Sequence, residues 1–277
     1  MIDRGRPARP HGHVCWSYDD PESFQPEAAR YLAAGLAAGE RVWYVTPRPP
    51  ESVAEELRDV AGFADALRRG AAEVITLGGT YSCGAVVDPG AQVAAYAAAT
   101  EAALAAGYTG LRVAAEATDL VRTPEQLDAF ARYEHRIDRY MRTRPFSAMC
   151  AYHRPELGDR TVAELACMHP ESNVEDGLFR LYATAPDDGH AALVGELDMT
   201  NHELFRTALD RADLHPSNGE LVLRATDLRF VDHRALAHLH EYARRRGATA
   251  VLRTSHSAAA RLAALLDLPG IRVEVSR

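Results

Sequence analysis

Residues 193–236 read LVGELDMTNHELFRTALDRADLHPSNGELVLRATDLRFVDHRAL, and this stretch decides the fold of the part of the chain around it. Two apolar runs, 191–194 and 220–225, each give way to turn-forming residues and then to an amphipathic segment. Leu204, Phe205, Ala208, Leu209 and Ala212 fall on one helical face in the first segment, and Leu236, Leu239 and Ala243 in the second. Asp232 stands just before the second helix, and Thr200 or Asn201 before the first. A short oxygen-bearing side chain at such a position accepts a bond from an exposed amide and starts the helix. Strand, loop and helix, twice in succession, predict a sheet covered by helices.

Working outward, a strand over 178–183 and the turn APDDG precede this stretch, and a strand over 250–252, a helix over 257–266 and a strand over 271–275 follow it. The chain turns polar at 172–177, which places a short linker there and a second domain at 178–277. Upstream, strands are predicted over 13–17, 41–45, 74–77, 111–114 and 146–151, alternating with helices. The first helix opens at DDPESFQP and carries Phe24, Ala28, Leu32 and Leu36 on one stripe, with Pro26 in or before its first turn. Further helices are predicted over 90–106 and 124–142. Residues 1–12, with arginines and prolines but no apolar block, read as a flexible leader and not as a secretory signal.

Composition bounds the function. At 277 residues, 47% hydrophobic and 25% charged, the chain reads as two folded domains. A net charge of −8 argues against a nucleic-acid partner, since phosphate contact needs a basic face. The Ala-rich segments are broken by Glu, Arg and Gly, so no run approaches the roughly 18 apolar residues of a membrane helix. Four cysteines without a signal segment point to thiols in a reducing, cytoplasmic setting.

GELDMTN at 195–201 and ELVLRATDLRFVDHRAL at 220–236 resemble the STAS family of anti-sigma-factor antagonists. The resemblance implies that the loop and helix over 229–239 face a partner, an anti-sigma factor or kinase-like regulatory protein. Arg229, Asp232, His233, Arg234 and Leu236 are the expected partner-binding residues. In that family an aspartate is followed by two hydroxyl residues and glycine, and a hydroxyl is phosphorylated. Here Asp232 is followed by His233, Arg234 and Ala235, so the usual switch is expected to be disabled. A cation there cannot imitate the roughly two negative charges that phosphate adds.

In the first half, HGHVCWSYDD contains His13, Cys15 and Tyr18 as His-x-Cys-x-x-Tyr, followed by GLAAGERVWYV, GYTGLRVAAEATD, YEHRIDRYM and MCAYHR. Together these resemble the MEDS sensory domain, similar to the RecA/KaiC-like ATPase core, over about residues 11–171. The resemblance implies a small-molecule sensor fused to an output module. The expected fold is thus α/β: an N-terminal RecA/KaiC-like, mostly parallel sheet over 13–171, and a smaller STAS-like α/β domain.

The first junction decides which chemistry is open. A RecA-like ATPase needs Gly-x-x-x-x-Gly-Lys-Ser/Thr there, because backbone amides and a lysine must hold the phosphates. This chain has SYDDPESFQPE, whose acids repel phosphate, so neither nucleotide hydrolysis nor any cofactor is expected. The carboxyl ends of the strands remain a place for a ligand. Period two puts His13 and Cys15 on one face, and Cys150 on a strand that can neighbour theirs. With Tyr18, Glu116 and His153 they are the expected ligand-binding residues; packing of small core thiols and a satisfied histidine accounts for the same pattern.

Three Cys/His pairs, His13 with Cys15, Cys150 with His153 and Cys167 with His169, keep zinc open as an alternative ligand, although they lack the short knuckles of strong zinc signatures. No c-type heme motif is present, and Ser17 and Ser82 lack a nucleophile elbow. No catalytic or metal-ligating residue is assigned. The reading is a non-catalytic signalling adaptor, with a homodimer left open. The alternative is a small-molecule or metal (zinc or heme) sensor whose second domain serves dimerisation.

Overall fold

A computed structural model describes residues 12–60, 62–81, 86–175 and 177–275. The expected leader therefore lies, apart from Gly12, outside the described residues, as do Ser82 and Cys83. The chain divides into two units. The first runs to Ala166 and resumes at Glu171–Glu175; the second takes Cys167–Pro170 and the described residues from Gly177 on. Ser172 to Glu175, read from sequence as linker, thus cluster with the first unit. Asn173 is held by the first strand: its Oδ1 accepts from the Ser17 amide at 2.7 Å and its Nδ2 donates to the Ser17 carbonyl at 2.7 Å.

The first unit is built on β1 (His13–Tyr18), β2 (Arg41–Thr46), β3 (Ala72–Thr76), β4 (Leu111–Glu116), β5 (Phe146–His153) and the two-residue β6 (Glu171–Ser172). They form one parallel sheet in the order β3-β2-β4-β5-β1-β6. All six residues of β4 are buried, as expected of a central strand covered on both faces. Helix α1 (Pro21–Ala37) follows β1; α2 (Pro50–Glu56) and α3 (Phe63–Arg68) follow β2; α4 (Leu77–Thr80) and α5 (Pro89–Ala105) follow β3; α6 (Pro124–Met141) follows β4; α7 (Arg154–Ala166) follows β5.

One face packs Val14, Tyr18, Val42, Tyr44, Ala114 and Met149 on Phe24, Ala28 and Leu32 of α1. The other packs Cys15, Val113, Cys150 and Tyr152 on Tyr96 of α5 and Phe130, Tyr133 and Ile137 of α6. Asp20 caps α1 by accepting from the Ser23 amide at 2.7 Å. The helix thus starts at Pro21, and Pro26 falls past its first turn, not in or before it as expected.

The second unit is built on β7 (Phe179–Ala183), β8 (Ala191–Leu197), β9 (Glu220–Arg224), β10 (Leu228–Val231), β11 (Thr249–Thr254) and β12 (Ile271–Val275). Helix α8 (His202–Ala212) follows β8, α9 (His233–Arg245) follows β10, and α10 (Ser257–Leu265) follows β11. The sheet is mixed: β7 pairs antiparallel with β8, and the remaining pairs are parallel. β8 pairs first with β9 through Ala191 and Ala192, then with β10 through Gly195, Glu196 and Leu197. At Gly195 φ is +95°, and a Cβ there would stand 2.2 Å from the Leu178 carbonyl oxygen.

The core joins Leu181, Leu193, Leu221, Leu223 and Leu252 with Phe205, Leu209, Leu236, Leu239 and Tyr242 of the helices. Phe179 and Phe205 meet edge to face at 5.6 Å. β12 ends the strand order, and its Arg272 bonds Glu220 at 2.7 Å and Glu274 at 3.1 Å, while Arg253 bonds Glu274 at 3.1 Å. Both units are α/β, as the sequence predicts. No helix among the described residues is long and apolar enough to cross a membrane.

Candidate functional site

The carboxyl ends of β1, β2, β4 and β5 bring together Tyr18, Thr46, Glu116 and His153 on the α1 side of the sheet. Glu116 is the last residue of β4 and is buried. Its Oε1 accepts from the Tyr44 hydroxyl at 3.0 Å and the Thr46 hydroxyl at 2.8 Å. Burial lifts the Glu116 pKa above the ordinary glutamate value, against the pull of these two hydroxyls and of Arg48. Burial likewise lifts Tyr18 to about 12. Its ring lies 5.4 Å from that of His153 and stacks on Phe24 at 5.0 Å. The His153 amide donates to Thr118 Oγ1 at 2.9 Å, and its Nε2 lies 3.1 Å from the Asp19 carbonyl oxygen. Arg154 makes a two-pronged bond to the Asp19 carboxylate at 2.9 and 2.6 Å. A carboxyl kept out of water with its pKa raised, at the strand ends of a parallel sheet, is a usual mark of a ligand site.

A second polar group lies on the opposite face, beneath α6. His13 Nε2 stands 2.9 Å from Glu134 Oε2, and its Nδ1 stands 3.5 Å from Asp138 Oδ1, with all three side chains fully buried. Glu134 Oε1 accepts from the Tyr152 hydroxyl at 2.6 Å. Arg142 pairs with Asp138 one turn on, and Cys150 Sγ lies 3.8 Å from His13 Nε2. Burial alone would push the imidazole down, but bonds to Asp138 and Glu134 outweigh it and lift His13 to about 9. Burial pushes the Cys150 thiol well up, and Glu134 adds to this. Burial also lowers the neighbouring His135 to about 4, so that ring is neutral.

The six predicted ligand residues therefore do not line one pocket. His13, Cys15 and Cys150 face α6, whereas Tyr18, Glu116 and His153 face the α1 side at the strand ends, and the sheet separates them. The strand of Cys150 neighbours that of Cys15 as anticipated, and the register sets Cys15 opposite Cys150 across β1 and β5. A groove of about 680 Å³, lined among others by Val86, Pro89, Pro124, Glu125 and Arg132, borders none of the six. Sequence reasoning missed Glu134, Asp138 and Tyr152. The first two were legible as acids one turn apart on a stripe otherwise made of Phe130, Ile137 and Met141.

The span holding both polar groups, residues 12–170, matches the family model described as MEDS: MEthanogen/methylotroph, DcmR Sensory domain. The chain belongs to the MEDS family. No curated protein matches the chain. The match covers more than half of the sequence, and it makes this a sensory-type domain whose strand-end carboxyl and buried imidazole both lie inside the MEDS span.

Beyond the MEDS span, the second unit gathers polar residues where β8 and β10 hand over to α8 and α9. Asp232 caps α9: its Oδ1 accepts from the Ala235 amide at 2.9 Å, and its Oδ2 lies 2.7 Å from His202 Nε2. Burial pushes the Asp232 carboxyl up, but the Ala235 amide and His202 outweigh it and hold the pKa low. Asp198 accepts from the Thr200 amide and hydroxyl at 2.8 and 2.6 Å, and Asn201 donates to the Glu196 carbonyl at 2.9 Å. His233 and Arg234 open α9 as exposed residues, and Arg229 pairs with Glu196 at 3.2 Å. In the same unit Met199 is 80% exposed and Phe230 51%. Leu236, predicted to meet a partner, is instead buried in the core, because the apolar stripe of α9 must face the sheet. His202 escaped the sequence reading because only the fold sets it against Asp232.

Proposed function

We propose that this chain is a non-catalytic signalling adaptor. Its MEDS domain takes a small-molecule ligand at the strand ends around Tyr18, Glu116 and His153. Its second unit, which resembles a STAS domain, docks on a kinase-like anti-sigma factor or related regulatory protein through Arg229, His233 and Arg234. The observation that carries this reading is the start of α9. The helix opens with an exposed imidazole and guanidinium where the resemblance would place hydroxyls, and exposed Met199 and Phe230 stand in the same unit. Such a face suits a partner with an acidic rim and an apolar centre, and gains nothing from a kinase acting on serine or threonine.

The absence of catalysis is supported at the first junction. The chain passes from β1 into an Asp20-capped helix with Pro21 at its start, and offers acids where a phosphate would need amides and a lysine. The test is binding of a purified kinase-like anti-sigma factor to the full chain. Binding that falls at least about tenfold in Arg234→Glu, with no phosphate incorporated by the kinase, is the expected result. Phosphate incorporated at His233, or at Thr226, a hydroxyl residue just after the 220–225 run, or nucleotide hydrolysis lost in Glu116→Gln, would overturn it. A second reading, a metal-responsive sensor whose second unit serves dimerisation, is favoured by one observation: the imidazole, carboxylate and thiol gathered under α6.

A further inference from the structure

A histidine between two carboxylates is a complete ion pair by itself, and a thiol adds nothing to it. Yet Cys150 brings its sulfur to 3.8 Å from His13 Nε2 on the side where Glu134 also arrives. Nε2 of His13, a carboxylate oxygen of Glu134 and Sγ of Cys150 lie within 4.8 Å of one another, each from a different element, β1, α6 and β5, and all are buried. We propose that His13, Glu134 and Cys150 form a binding site for a divalent transition metal ion, with zinc the best match to one imidazole, one carboxylate and one thiolate.

The geometry carries this in three ways. A tetrahedral zinc with ordinary bond lengths sets nitrogen and sulfur ligands about 3.5 Å apart, and the observed 3.8 Å needs little movement. Two of the three donors have a polar group behind them that would orient them toward a metal. Asp138 stands 3.5 Å from the other ring nitrogen of His13 and is itself held by Arg142. Tyr152 fixes the far oxygen of Glu134 at 2.6 Å. A carboxylate on the outer nitrogen of a ligating histidine is the arrangement that metal sites use to fix the tautomer.

Charge balance favours the exchange as well. Uptake of the ion releases the Nε2 proton of the imidazolium and the thiol proton of Cys150 to solvent. Two positive charges enter as two leave, so the buried group keeps its net charge and no new desolvated charge is created. Mixed nitrogen, oxygen and sulfur donors in a buried site suit zinc better than the all-oxygen shells that magnesium or calcium require.

This inference deepens the metal-responsive reading of the MEDS domain, but the site itself stands on the side chains. The full chain, purified through a chelator, is titrated with cobalt and then zinc. One cobalt per chain, a thiolate-to-cobalt charge-transfer band and its bleaching by zinc are expected. Cys150→Ser should abolish the band while the circular dichroism spectrum is kept, and Asp138→Asn should weaken binding by about 10–100-fold. Elemental zinc in the chain isolated without chelator is the independent measurement, which needs no variant to fold. A cobalt band that survives in Cys150→Ser, or no band together with zinc far below one per chain, overturns the site. Partner binding is measured separately, so a failed titration removes the metal and leaves the docking face standing.

Discussion

Asp232 and Glu116 are carboxyls with opposite burdens, and their variants should behave oppositely. Asp232 caps α9 and holds His202, so Asp232→Ala removes a cap and leaves a buried imidazole without its acceptor. Urea unfolding should show a loss of about 1–2 kcal/mol. Its folded pKa lies below the ordinary 3.8, so the stability it contributes is fully present above that value and is lost as the pH falls through the lowered one. That acid-limb loss should shrink in Asp232→Asn. Glu116 has its pKa raised by burial, so the folded state disfavours its ionised form. The penalty begins as pH rises past the ordinary 4.5 and is complete above the raised value. Glu116→Gln should therefore raise Tm at neutral pH while weakening the proposed ligand, a trade usual at functional sites.

At the scale of elements, α6 carries the most information. Thr123 and Gln126 form a reciprocal capping box at 3.2 and 3.0 Å, and Thr123→Ala should cost about 1 kcal/mol in thermal unfolding. β8 is bent at Gly195, where alanine would meet the Leu178 carbonyl in a left-handed backbone conformation. Gly195→Ala should lose more than about 2 kcal/mol, read as a shifted urea midpoint. Strands such as 41–45 and 146–151 were legible because apolar runs bounded by turn residues announce them. β10 was not, since its four residues include the exposed Arg229 and Phe230 and follow directly on a turn. α7 was hidden by Pro155 and by Gly158, whose φ of 78° breaks it. The split of the ligand residues was written in their parity, because an even-numbered Tyr18 cannot share a face with His13 and Cys15 on one strand. The meeting of His13 with Glu134 was not legible, because it depends on α6 packing across the face of the sheet that carries β1 and β5.

Across the whole molecule, the two units exchange short stretches of chain, and a fragment's first residue should matter accordingly. Cys167 and Met168 belong to the core of the second unit, and the Cys167 carbonyl accepts from the Leu181 amide at 2.7 Å. A fragment beginning at 167 should be more stable to urea than one beginning at 171, by about 2–3 kcal/mol for the buried methionine alone. Beyond either unit's own stability lies the matter of what other molecules can add to it. The outer side of β12 offers backbone groups onto which a foreign strand could zip. With Arg272 and Glu274 spaced along it, a second copy laid parallel and in register would set guanidinium over guanidinium and carboxylate over carboxylate, a mutual repulsion that disfavours that pairing.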